Sequence, residues 1–206
     1  MTTAIQPETV IFVVDDDEAM RDSLDFLLSS GGLAVRTFDL AEDLLAALPD
    51  GRCGCVVSDV RMPGLDGIEL LKRIKAVWPS LPVVMITGHG DVPLAVEAMK
   101  LGAADFVEKP FDDERLIGAV QEALTGAPRA SEAEDELGAR VALLSPRERQ
   151  VLDGLVAGQS NKTIARTHDI SPRTVEVYRA NLMAKMQAAS LSELVRMAMR
   201  AGLLRD

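Results

Sequence analysis

The chain has 206 residues, 48% of them hydrophobic and 26% charged, with 32 acidic against 22 basic side chains and a net charge of −10. That length holds one large domain or two small ones, and the composition is that of a folded globular protein. The longest apolar run that reads as an element, Val10–Val14, is far short of the roughly 20 residues a membrane span needs. The first eight residues carry neither a basic nor an apolar leader segment, so no membrane partner is expected and a reducing cytoplasm is the expected compartment.

The charge is unevenly spread. Residues 1–144 carry 26 acidic and 12 basic side chains, a balance of −14, whereas residues 145–206 carry 6 and 10, a balance of +4. An acidic body with a basic end is the asymmetry of a chain that carries an interaction module.

From Val10 the pattern alternates short apolar runs with amphipathic stretches. Strands are predicted at Val10–Val14, Ala34–Phe38, Cys55–Ser58, Val83–Thr87 and Asp105–Glu108, with helices at 18–29, 40–47, 66–77, 92–101 and 112–124. Continuous apolar strands alternating with helices predict a parallel sheet covered on both faces. Five such units in this length predict a flavodoxin-like, doubly wound α/β domain over residues 8–124, with strand order 2-1-3-4-5. Cys53 and Cys55 lie in the third strand region with no further metal ligands near them, and read as small buried hydrophobes. Residues 125–143, opening Gly-Ala-Pro and rich in Glu and Asp, read as a linker whose alanines and glutamates favour partial helix.

Four short helices follow in 144–206. Ser145-Pro146 with Glu148 is a capping box with proline at the first helical position, and Gly158 closes that helix. A second helix runs from Asn161 to His168, Asp169-Ile170 turns, and Ser171-Pro172 opens a longer helix to about Gln187. Ser190 with Glu193 starts the last.

In a doubly wound sheet, ligands bind beyond the carboxyl ends of the strands, where the strand order reverses. The first strand ends on Asp15, Asp16 and Asp17, the third on Asp59, the fourth on Thr87 and the fifth on Lys109. Converging carboxylates call for a hard divalent cation, and Mg²⁺ is the expected cofactor. Carboxylates, a metal, a hydroxyl and an ammonium group together suit phosphoryl transfer, which relies on positioning and charge neutralisation.

Those residues, in Val-Val-Asp15-Asp16-Asp17, Ser-Asp59-Val-Arg-Met-Pro63-Gly, Ile-Thr87-Gly-His-Gly-Asp and Phe-Val-Glu-Lys109-Pro110-Phe, resemble the receiver domain of two-component response regulators. The resemblance implies that Asp59 is the phosphoacceptor, served by a sensor histidine kinase. It implies that Asp16 and Asp59 hold Mg²⁺ directly, with Asp15 acting through water and the Arg61 carbonyl assisting. Thr87 and Lys109 would contact phosphoryl oxygens, and the Lys109–Pro110 bond would be cis. Thr87 and Phe106 would form the switch, Phe106 standing where many receivers carry Tyr.

In the basic segment, Val175, Leu182 and Met186 recur at helical spacing as a core face. Arg173 and Thr174 at a helix start suit phosphate contact, and Glu176, Val177 and Asn181 suit base edges in a major groove. Periodicity alone fits a solvated helix face in a small bundle equally well. The stretches Leu144–Leu152, Asn161–Ala165 and Ser171–Met186, however, resemble the LuxR-type helix-turn-helix domain. The resemblance implies contacts to double-stranded promoter DNA by Asn161, Lys162, Arg173, Thr174, Glu176, Val177, Arg179, Asn181 and Lys185. The pairing of the two domains, with Thr87-Gly-His-Gly-Asp-Val-Pro93 in the receiver, resembles the FixJ branch of response regulators. It implies a FixL-like kinase, a phosphorylation-dependent homodimer, RNA polymerase as a further partner, and control of oxygen-responsive or nitrogen-fixation genes. His89 and His168 read as loop and surface residues.

Two competing readings remain at this point. Asp15-Asp16-Asp17 superficially fits an aspartate-nucleophile phosphatase, which would need no Asp59 and leaves the C-terminal segment unexplained. A constitutive DNA-binding protein could use the first domain as a scaffold, which would need none of the rim residues.

Overall fold

The computed structural model describes residues 9–48, 54–88, 92–125, 134–201 and 203. In chain order the elements are β1 (Val10–Val14), α1 (Glu18–Ser30), β2 (Ala34–Phe38), α2 (Ala41–Ala47), β3 (Gly54–Asp59), α3 (Gly67–Val77), β4 (Val83–Thr87), α4 (Val92–Lys100), β5 (Asp105–Glu108) and α5 (Asp113–Thr125). The helices α6 (Glu134–Ala142), α7 (Pro146–Val156), α8 (Asn161–Thr167), α9 (Pro172–Met186) and α10 (Leu191–Arg200) follow. They fall into two units, Met1–Gly88 with Leu101–Ala127, and His89–Lys100 with Pro128–Asp206.

The first unit holds a five-stranded sheet in the order β2-β1-β3-β4-β5, every pairing parallel. The flavodoxin-like topology is therefore as the alternation predicts. One face of the sheet packs Ile11, Val13, Cys55, Val57, Val84, Ile86 and Val107 against Leu24 and Leu28 of α1 and Leu116, Ala119 and Val120 of α5. β3 and β4 are buried along almost their whole length, and their sequences, Gly-Cys-Val-Val-Ser-Asp and Val-Val-Met-Ile-Thr, read as continuous apolar runs for that reason. β2, at the sheet edge, keeps Ala34, Arg36 and Thr37 exposed. The Cys55 thiol is buried, and burial pushes its pKa up to about 12. Cys53 lies outside the described residues.

Register places the chemistry. Val14 stands opposite Ser58, so Asp15 and Asp59 each fall one residue beyond a matched pair on adjacent strands. Thr87 stands opposite Glu108, which brings Lys109 next to the end of β4. At the opposite end of α3, Trp78 closes the helix with its N–H on the Ile74 carbonyl.

In the second unit, Leu137, Val141, Leu152, Leu155, Ile164, Val175, Leu182, Met186, Leu194 and Val195 are buried. The capping box of Ser145 and Glu148 is present, with Pro146 in the first turn. Gly154 lets α7 approach α8 closely, since a Cβ there would lie 2.7 Å from Ile164 Cγ1. The partial helix expected in the 125–143 segment takes the form of one defined element. The segment read as linker contains the helix α6, so a fifth helix joins the four expected after residue 144. Its apolar stripe is only Leu137 and Val141, one turn apart, and the preceding acidic run masks it in the sequence.

Candidate functional site

The rim at the carboxyl ends of the strands is built by local hydrogen bonding. Asp17 caps α1 by accepting from the Ala19 and Met20 N–H groups, which turns the chain sharply after β1. Arg21, one turn into α1, donates to the Asp15 and Asp16 carbonyls at 2.8 and 3.1 Å and fixes that turn. Asp59 Oδ2 accepts from the Arg61 N–H at 2.6 Å, and Asp15 Oδ1 from the Asp17 N–H at 2.9 Å. Gly67 lets α3 begin directly against β3, since a Cβ there would lie 2.2 Å from the Asp59 carbonyl oxygen. The Lys109 N–H donates to the Thr87 carbonyl at 2.6 Å, and the Lys109–Pro110 peptide is cis.

These bonds leave one oxygen of each carboxylate facing Lys109. Its Nζ lies 2.6 Å from Asp59 Oδ1 and 3.1 Å from Asp15 Oδ2. Asp15 and Asp59 are buried, whereas a quarter of the Lys109 side chain meets solvent. Burial raises the Asp15 pKa, against the opposing pull of the Asp17 N–H and the Lys109 charge. Burial also works against the charged form of Lys109, but the bond and charge of Asp59, joined by Asp15, outweigh it and hold the ammonium above its ordinary value. Thr87 and Phe106 are buried, at 1% and 3% exposure.

The expectation of three or more converging carboxylates is thus corrected. Asp15 and Asp59 meet, Asp16 is exposed, and Asp17 is committed to its helix cap. Among the described residues no group of three or more His, Cys, Asp or Glu side chains is gathered to hold a metal ion. The physical reason is charge balance: two buried carboxylates draw in the nearest cation, and here that cation is Lys109.

The helix-turn-helix is equally explicit. Ser160 caps α8 on the Thr163 N–H, Asp169 adopts φ 53° in the turn, and Ser171 caps α9 on the Thr174 N–H, with Pro172 in its first turn. Val175, Leu182 and Met186 face inward and are fully buried. Of the expected DNA contacts, Lys162, Arg173, Glu176, Val177 and Asn181 are exposed, and Asn161, Thr174 and Arg179 are half-buried. Val177 is 56% exposed, an apolar side chain offered to solvent on a charged face. Thr174 shares a hydroxyl hydrogen bond with Ser171 at 2.8 Å. Lys185 is turned to Glu148 Oε2 at 2.7 Å and to the Leu143 carbonyl at 3.3 Å, away from the role expected of it. His168 is half-buried at the end of α8, and His89 lies outside the described residues.

Comparison with known proteins agrees with this architecture. Residues 11–121 match the response regulator receiver domain, and residues 142–198 match the LuxR family of bacterial regulatory proteins. The chain therefore belongs to the response regulators that join a receiver to a LuxR-type DNA-binding domain, and is a transcription regulator. Within them it is FixJ-like: it is 65% identical to the transcriptional regulatory protein FixJ of Bradyrhizobium diazoefficiens, over 95% of this chain and 97% of that one. It is 51% identical to FixJ of Rhizobium meliloti, over 93% and 96%. Among solved structures, full-length FixJ from B. japonicum is similar at 64% identity and a TM-score of 0.55, over 97% of this chain and 100% of that one. A receiver takes a cognate histidine kinase as partner, and a LuxR-type domain takes DNA. The phosphatase reading is not favoured, since the two matches together cover the receiver and the DNA-binding domain, neither of which it explains. No helix among the described residues is long and apolar enough to cross a membrane.

Proposed function

We propose that residues 8–124 act as a receiver phosphorylated on Asp59, and that residues 144–206 bind double-stranded promoter DNA, with 125–143 between them. The observation that carries this reading is Lys109 Nζ, 2.6 Å from Asp59 Oδ1 at the point where the strand order reverses. In the transfer, an Asp59 carboxylate oxygen attacks the phosphorus of a kinase phosphohistidine. The O–P bond forms as the N–P bond breaks, and the electron pair of that bond returns to the imidazole ring. The Arg61 N–H holds Asp59 Oδ2, so the carboxylate is oriented before attack. Lys109 moves from the carboxylate to a phosphoryl oxygen, and the Thr87 hydroxyl meets another. Thr87 and Phe106, both buried beside the rim, form the switch that reads the new group.

The donor set fits Mg²⁺. Asp15, Asp16, Asp59 and the Arg61 carbonyl offer only hard oxygen donors, the kind Mg²⁺ takes, although here only Asp15 and Asp59 meet, both on Lys109. By the family resemblance Asp16 and Asp59 would bind the ion directly, with Asp15 acting through water. When bound, Mg²⁺ supplies neutralisation of charge on the transferring phosphoryl oxygens.

A cleft of about 680 Å³ opens beside Lys109, lined by Met20, Phe26 and Leu27 of α1 with Pro110 and Phe111. Phe26 is 78% exposed, a strong apolar anchor next to the phosphoacceptor, and we place the kinase there. The similarity to FixJ proteins supports a FixL-like kinase, a cytoplasmic location, dimerisation on phosphorylation, contact with RNA polymerase, and control of oxygen-responsive or nitrogen-fixation genes. The decisive experiment treats the full chain and Asp59→Asn with a small phosphodonor and Mg²⁺, and reads intact mass. The wild type gains one base-labile phosphoryl group and the variant none; uptake of one equivalent by the variant refutes the assignment.

A further inference from the structure

The C-terminal ends of α6 and α9 lie against one another, and each is closed by a cation from elsewhere in the second unit. The last carbonyls of a helix lack intrahelical partners and carry the negative end of its dipole. Beyond the end of α6, the Leu143 carbonyl accepts from Lys185 of α9 at 3.3 Å; within its last turn, the Val141 carbonyl accepts from Arg149 of α7 at 3.0 Å. At the end of α9, the Met186 carbonyl accepts from Arg140 of α6 at 3.1 Å. Lys185 is held further by Glu148 Oε2, which also accepts from the Ser145 N–H that starts α7. Three helix ends therefore meet at four side chains.

From this geometry we infer that Lys185, Arg140 and Glu148 are positioning residues that fix the direction of the recognition helix α9, and that the DNA-binding unit begins near Leu137. The inference rests on the reading of α9 as the recognition helix. Two observations favour positioning by Lys185 over contact with a DNA phosphate. Glu148 is 4% exposed, so moving the ammonium onto a phosphate would leave a buried carboxylate without its counter-charge. The Leu143 carbonyl would lose the same donor at the same moment. Arg140 extends the unit backwards: it lies before the LuxR-family match at 142–198, yet it closes the end of α9. Leu137 and Val141, both buried, anchor α6 in place.

The test uses the phosphorylated full-length chain and a duplex that this chain selects from random-sequence DNA, with affinity measured across a salt series. A lysine on a phosphate contributes about one to the slope of log affinity against log salt. Positioning predicts that Lys185→Met lowers affinity at least tenfold at every salt concentration with the slope unchanged, and speeds amide exchange in α9. Arg140→Met is expected to do the same in kind, and Glu148→Gln is expected to lower affinity. A phosphate contact instead predicts a shallower slope, unchanged exchange in α9, and a Glu148→Gln variant that binds as tightly as the wild type or tighter. Lys185→Arg serves where the methionine variant unfolds. It keeps the charge a phosphate needs, but its planar guanidinium does not reproduce the paired bonds of the lysine ammonium to Glu148 Oε2 and the Leu143 carbonyl, so positioning predicts weaker binding and phosphate contact predicts unchanged binding. Arg173→Ala and Asn181→Ala act as controls. If neither weakens binding, the recognition-helix reading itself fails. If they weaken it while the Lys185 and Arg140 variants bind like wild type, or Lys185→Met flattens the slope, only the positioning inference is overturned.

Discussion

Glu148→Gln removes one charge from the foot of the recognition helix while leaving an oxygen to accept the Ser145 N–H. The Glu148 carboxyl is held at about 2, below its ordinary 4.5, by the hydrogen bond from Lys185 first and the Ser145 N–H next, against the opposing effect of burial. Because the folded-state value is the lower one, this group adds stability above 4.5 and loses it as pH falls towards 2. At about 1.4 kcal/mol per pH unit, that interval corresponds to roughly 3 kcal/mol. The Lys185 side chain is 40% exposed, however, and water screens its charge. We therefore expect Glu148→Gln to cost about 1–2 kcal/mol at neutral pH, which would speed exchange of the α9 amides roughly five- to thirtyfold. Exchange read by mass spectrometry on the full chain checks the neutral value. Denaturation followed through the methyl resonances of Val175 and Leu182 then checks the pH dependence, with wild type and variant converging between 4.5 and 2. Equal protection of α9 at neutral pH, or a gap that persists unchanged into acid, would refute the reasoning.

Three further predictions concern the first unit. Lys109→Met leaves the Asp15 and Asp59 carboxylates facing each other without their cation; the Asp15 carboxyl then titrates at still higher pH by NMR, and phosphorylation from a small donor falls at least tenfold, or the ion pair is not functional. Phe26→Ala slows transfer from the cognate kinase while leaving the small-donor reaction unchanged, and parallel loss of both would remove the kinase from that cleft. Gly67→Ala forces a Cβ to within 2.2 Å of the Asp59 carbonyl, and unfolding experiments should show destabilisation of about 1–3 kcal/mol with slower phosphorylation.

The sheet was legible because β1, β3 and β4 are short apolar runs of the right length, and because β1, β3, β4 and β5 lead into polar residues that the parallel register brings to one rim. Asp15, Asp59, Thr87 and Lys109 could be placed together from the topology alone. The helix caps were equally visible, since Ser145, Ser171 and Ser190 stand just before the helices they start. What escaped depends on contacts between residues distant in the chain. Arg140 meets Met186 across 46 positions, and Lys185 meets Glu148 across 37, and neither pairing has a local signature. Helical periodicity marked Val175, Leu182 and Met186 as the core face, but could not show that a buried carboxylate waits beside Lys185. Arg21 was missed for a different reason. Its signal was local, an arginine four residues after a capping aspartate, where the side chain can fold back over carbonyls at the strand end.

The ends of α3 and the middle of α9 also give the two units separate optical reporters. Trp78, the single tryptophan of the sequence, closes α3 in the first unit, and Tyr178, the single tyrosine, lies half-buried on α9 in the second. Excitation at the red edge of indole absorption therefore reads the receiver alone, without labelling and without a background from the DNA-binding unit. Nitration of Tyr178 would supply the complementary absorbance signal from the recognition helix. The two units could then be followed in one cuvette, each on its own chromophore.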